Sequence, residues 1–145
     1  MSSFDALFDQ FHHTAFRYEG LPAYLVDEEQ PRIHAWREHR PRPERSVRTS
    51  DWLRRIAVTT AQQGKEWARV RAVDWPLPEY LRYELQGYIE NQAAGDRTLL
   101  VNRSQAWDGP DFWLFDGGTK HARAAVMDYD SDGRFLGFRL VNDHA

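Results

Sequence analysis

The chain has 145 residues, 41% of them hydrophobic and 14% aromatic, which suits one domain with its own core. A formal net charge of −3 excludes nucleic-acid binding by a uniformly basic surface. The absence of cysteine excludes a disulfide scaffold, a thiol nucleophile and a thiolate metal site.

Phe4, Leu7, Phe8 and Phe11 have helical spacing and predict a short opening helix. Ala15–Glu19 and Ala23–Val26 read as strands around Gly20-Leu21-Pro22. Ile33–His39 reads as a helix or a connecting turn. Ser50 is a good N-cap for a helix that turns Leu53, Ile56, Ala57, Thr60 and Ala61 inward and stops at Gly64. Trp67–Val73 alternates as a strand does. Asp74 then caps a helix that begins near Pro76 and runs to about Gln92. Thr98–Asn102, Phe112–Phe115 and Ala122–Tyr129 follow as strands. Asp130-Ser131-Asp132-Gly133 turns the chain into Phe135–Val141. The expected class is α+β: a mixed sheet with helices on one face and a C-terminal antiparallel meander.

Met1-Ser2-Ser3-Phe4-Asp5 shows no basic segment followed by an apolar one, and no apolar run reaches membrane-spanning length. A cytoplasmic protein with no membrane contact is expected. The basic residues are 17 Arg and 2 Lys, a ratio that codon usage explains better than bidentate anion pairing does.

Glu84 is the residue out of place. In the helix after Pro76, Leu77, Leu81, Leu85 and Tyr88 form one stripe, and Glu84 falls inside it. A buried carboxylate is costly unless paired or hydrogen-bonded. The preceding strand supplies candidates, because Trp67, Arg69, Arg71 and Val73 share one face. Glu84 is therefore either a structural partner of Arg69 or Arg71, or part of a pocket lined by Arg69, Arg71, Tyr80, Glu84 and Tyr88. Such a pocket suits a small anionic or amphipathic ligand, and Glu84 is then the candidate catalytic acid or base.

Charge is uneven along the chain. Residues 1–30 carry one Arg against six acids, and residues 31–55 carry eight Arg against three. The Pro/Arg-rich stretch 40–49 reads as an exposed segment. Arg40, Arg42, Arg45 and Arg48, with Trp36 and Trp52 nearby, are candidate contacts for nucleic acid or a partner protein. The competing reading is a solvated arm, or one that pairs with the acidic first 30 residues.

Other motifs are weaker. Asp128-Tyr129-Asp130-Ser131-Asp132-Gly133 begins like a calcium loop, but Arg139 stands where the bidentate Glu belongs, and a hairpin turn is expected. His121-x-Arg123 with Asp128 imitates a phosphodiesterase motif in a single imperfect copy. His12-His13 lacks a third ligand at close spacing. No cofactor motif is present and no metal is implied. Asp111 and Asp116 fall on opposite faces of one strand, so they form no acid/base couple.

Several blocks together carry a family resemblance. They are Phe4…Leu7-Phe8…Phe11, Thr14–Glu19, Tyr24…Glu28, Trp52, Gly64-Lys65…Arg69–Val73, Pro76-Leu77…Tyr80–Leu85, Asn91…Ala94-Gly95, Asp111–Asp116 and Asp132–Gly137. The chain resembles a high-GC bacterial family known as domain of unknown function 6879 over nearly its whole length. The resemblance implies a regulatory, partner-binding protein associated with small helix-turn-helix regulators, by association only. It also implies a helix beyond the last strand, where this chain stops at His144-Ala145. An exposed sheet face, or a homodimer formed through it, would follow. The functional expectations are thus three: a binding or regulatory protein with a helix-turn-helix partner, a small enzyme acting on a phosphate-containing or nucleotide-like substrate, and direct nucleic-acid contact by the Arg32–Arg55 arm.

Overall fold

A computed structural model of the chain describes residues 3–142. Among them are four helices: α1 (Leu7–Gln10), α2 (Gln30–Arg37), α3 (Asp51–Gln63) and α4 (Glu79–Ala94). Six strands form one mixed sheet: β1 (Thr14–Glu19), β2 (Glu66–Val73), β3 (Asp96–Asn102), β4 (Phe112–Phe115), β5 (Arg123–Tyr129) and β6 (Phe135–Asn142). Their order is β3-β2-β1-β4-β5-β6. β1, β2 and β3 are parallel because helices return the chain between them. β4 lies antiparallel to β1 and opens the meander to β6. The fold is α+β.

Local signals account for most element ends. Ser50 Oγ accepts the Leu53 amide at 3.2 Å and caps α3, and Gly64 at φ 66° closes it. Inside α3, Leu53, Ile56 and Thr59 are buried, while Ala61 is exposed. Thr59 is held inward because its hydroxyl accepts Trp67 Nε1–H at 2.9 Å. The stretch from Ile33 is helical, begins earlier at Gln30, and has Pro31 in its first turn.

Two expectations fail. Ala23–Val26 is not a strand. β1 is paired on both edges, by β2 and β4, so the next segment finds no free edge and crosses the sheet face instead. Asp74 does not cap α4. Its carboxylate accepts Arg103 Nε–H at 2.7 Å, and α4 begins after Pro78.

Register sets up the site. Ala15, Arg17 and Glu19 lie beside Trp67, Arg69 and Arg71, and Trp113 and Phe115 continue that face across β4. At one end of the face, Phe8, Phe11, Leu53, Ile56, Trp67 and Trp113 pack as the main core. A second cluster contains Tyr24, Ile33, Tyr80 and Tyr83. Arg17, Glu19, Arg69 and Arg71 follow the core residues along β1 and β2, so the same face turns from apolar to charged within two residues of each strand. His144-Ala145 lies outside the described residues.

Candidate functional site

The inward face of α4 buries Tyr80, Leu81, Tyr83, Glu84, Tyr88 and Asn91. Glu84 Oε1 accepts Arg71 Nε–H at 2.8 Å. Arg71 is 0% exposed. Its Nη1 donates to the carbonyls of Glu19 and Leu21, its Nη2 has no partner, and its guanidinium stands 5.3 Å from the Tyr24 ring centroid. Glu84 therefore has its internal partner.

Two more ion-pair groups share this layer. Arg69 Nη1 donates to Glu19 Oε1 at 2.6 Å, and its Nε donates to Asp96 Oδ2 at 3.0 Å. Tyr88 OH adds a bond to Glu19 at 2.9 Å, and Asn91 Nδ2 reaches Asp96 at 3.3 Å. Arg17 Nη2 contacts Asp111 Oδ2 at 3.2 Å and Tyr129 OH at 2.8 Å. Asp111 also accepts from the Tyr24 hydroxyl and from the Gly20 amide. Arg17 Nη1 is buried without a hydrogen-bond partner.

The two glutamates titrate in opposite directions. Burial works against charge on Glu19, but Arg69, Arg17 and Arg71 outweigh it and hold the carboxyl down at about 2. Burial, then the Glu19 charge, pushes Glu84 up to about 7 against the pull of Arg71. Glu29, which accepts the Tyr80 hydroxyl at 2.8 Å, is also raised, chiefly by burial.

Above this layer lies a pocket of about 520 Å³. Arg69, Tyr80, Glu84 and Tyr88 line it, four of the five residues that the sequence nominated. Arg71 does not line it and stands behind Glu84. The walls also hold Arg17, Glu19, Tyr24 and Tyr129, with Trp52, Trp113 and Met127 on the apolar side.

The arm residues divide. Arg45 turns inward: it lines the pocket and donates to Asn91 Oδ1 at 2.8 Å and to Glu90 Oε1 at 3.4 Å. Arg32 reaches both oxygens of the same Glu90 at 2.9 Å. Arg40 and Arg48 are exposed and pair with Glu38 and Glu44, and Arg42 is exposed. The arm therefore pairs mainly with itself and with α4. Arg55, which contacts Asp5 and Asp9, is its link to the acidic first 30 residues. Trp36 packs against Tyr83, and Trp52 against Phe8 and Trp113, so both rings face inward.

The weaker motifs resolve into structure. Asp130 closes the β5–β6 turn, its Oδ1 accepting the amides of Asp132 and Arg134, both at 2.9 Å. Asp116 accepts the amides of His12, His13 and Thr14. Arg123 and Asp128 lie on opposite faces of β5, which separates the phosphodiesterase-like triplet. Among the described residues no group of three or more His, Asp or Glu is placed to hold a metal ion.

The family model described as Domain of unknown function (DUF6879) matches residues 2–145. The chain belongs to that family. No curated protein and no solved structure matches it. Among the described residues of this family member, no helix is long and apolar enough to cross a membrane.

Arg17, Glu19, Tyr24, Asp111 and Tyr129 were not nominated by sequence. A signal for two of them was present: Arg17 and Glu19 alternate with Phe16 and Tyr18 as Arg69 and Arg71 alternate with Val70. Two neighbouring strands that each carry paired charges on one face mark a buried ionic layer. Tyr24 and Asp111 gave no local signal, because loop positions bring them in.

Proposed function

We propose that this DUF6879 protein is a regulatory binding protein that takes a small anionic ligand in the pocket beneath α4 and acts with a helix-turn-helix partner. The pocket carries the ligand half of this reading. It measures about 520 Å³, has an aromatic lining, and contains Arg17, Arg69 and Glu84 as convergent polar groups. Small-molecule sites generally have this size and this mixture. The partner half is supported by the family resemblance.

Thermal unfolding in the presence of small organic anions tests the ligand half. A ligand at about a hundred times its Kd stabilises by about 2.7 kcal/mol, a clear upward shift in Tm. Gel filtration of the protein co-expressed with a helix-turn-helix regulator tests the other half, and a ligand-dependent complex is the expected result. An unchanged Tm across a broad anion panel, or no co-elution under gentle conditions, would remove the corresponding half.

A second reading draws on Glu84. A carboxyl raised to about 7 in a pocket wall is suited to general acid or base work, here on a phosphate-containing or nucleotide-like substrate. Glu84→Gln would then abolish turnover with the fold intact, whereas a binding protein would keep its ligand. Direct nucleic-acid contact along Arg32–Arg55 has less support, since Arg32, Arg45, Arg48 and Arg54 are committed to Glu90, Glu44 and Asp51. That mode requires a steep fall in affinity with salt.

A further inference from the structure

We infer that the pocket's ligand is an apolar, ring-sized body bearing one negative charge, a monocarboxylate, with its carboxylate seated at Arg17. This rests on the pocket's being a ligand site, and it goes further by naming the charge and its position.

Four arginines line the pocket, and each already meets a carboxylate, Arg17 meeting Asp111 at 3.2 Å. Glu19 and Asp96 hold Arg69, while Glu90 holds both Arg32 and Arg45. Arg17 differs. It is 5% exposed, and Nη2 reaches Asp111 and Tyr129, yet Nη1 makes no hydrogen bond. A buried guanidinium N–H without an acceptor is costly, and an oxygen from a ligand would relieve that cost.

The surroundings of Arg17 set the rest of the ligand. Its guanidinium carbon lies 5.9 Å from the Trp113 ring centroid, and Trp52 packs against Trp113 at 5.8 Å. Met127 and Phe135 share the same lining. This side of the pocket therefore offers an apolar wall and a single unfilled donor. Ser50 and Trp52 bring the amino end of α3, a thirteen-residue helix, to the same pocket, which adds a weak positive field.

A single donor suits one carboxylate oxygen. A phosphate dianion would bring a second charge into a buried site whose arginines, Arg17 included, are already paired, and an unpaired buried charge is strongly disfavoured.

The test is calorimetric titration near neutral pH, read in parallel by tryptophan fluorescence, with phenylbutyrate, its neutral amide and phenylpropyl phosphate. Phenylbutyrate should bind, with the amide and the phosphate each weaker by roughly tenfold or more. In Arg17→Lys, which keeps the charge but loses the planar fork, the preference for carboxylate over amide should fall by about threefold or more, with amide affinity kept. If the amide binds as tightly as the acid, or the phosphate binds more tightly, the single-charge inference is overturned while the ligand site stands. Full carboxylate preference in Arg17→Lys would overturn the placement at Arg17. If none of the three binds, the ligand-site reading falls with it.

Discussion

Glu84 is held by opposing forces. Burial and the nearby Glu19 charge favour its protonated form, while Arg71 at 2.8 Å favours the ionised one. The balance leaves it above its ordinary value of 4.5, so the folded chain holds this proton more tightly than the unfolded chain does. Stability from this group is then complete below pH 4.5 and is lost as pH rises through about 7. The urea midpoint of the wild type should fall relative to that of Glu84→Gln between about pH 5 and 8, and a constant difference would refute the shift. Glu19 has the opposite sign: its contribution is present above pH 4.5 and is lost as pH falls toward about 2. Truncation is harsher than amide replacement. Glu84→Ala leaves the fully buried Arg71 without a carboxylate and should cost about 3–5 kcal/mol, against about 1–3 kcal/mol for Glu84→Gln.

At the level of elements, the turn between β5 and β6 is tied to the segment that follows β1. Gly133 has φ 85°, and a Cβ there would meet the Ala23 carbonyl oxygen at 2.5 Å. Its own carbonyl accepts the Leu25 amide at 3.0 Å. Both Gly133 and the neighbouring Tyr24 and Val26 line the pocket. Gly133→Ala should therefore cost about 1–3 kcal/mol and loosen residues 21–26. Urea unfolding gives the first value, and faster amide exchange confined largely to those residues gives the second. Unchanged exchange there would mean that the turn does not hold the segment. The strand alternation and the Ser50 cap were legible in sequence because each depends on residues a few positions apart. Ala23–Val26 was misread because its composition suits a strand, whereas the occupied edges of β1 left it no partner.

For the whole molecule, the main aromatic core and the Tyr24–Tyr80 cluster share one sheet with the ionic layer. The layer is cross-linked in both directions: β1 to β2 through Glu19 and Arg69, and β2 to α4 through Arg71 and Glu84. Unfolding followed by tryptophan fluorescence and by far-ultraviolet circular dichroism should give coincident transitions. Two separated transitions would show that the Tyr24–Tyr80 cluster opens independently. The sequence alone determined the α+β class, the position of most strands and the conflict at Glu84, because periodicity and capping are written in neighbouring residues. Which arginine answers Glu84, and that Arg17 enters the pocket with an unfilled donor, were decided only by the tertiary structure. Those outcomes follow from strand register: it sets Arg69 between Glu19 and Asp96, leaves Arg71 to Glu84, and brings Asp111 from 94 residues away to one side of Arg17.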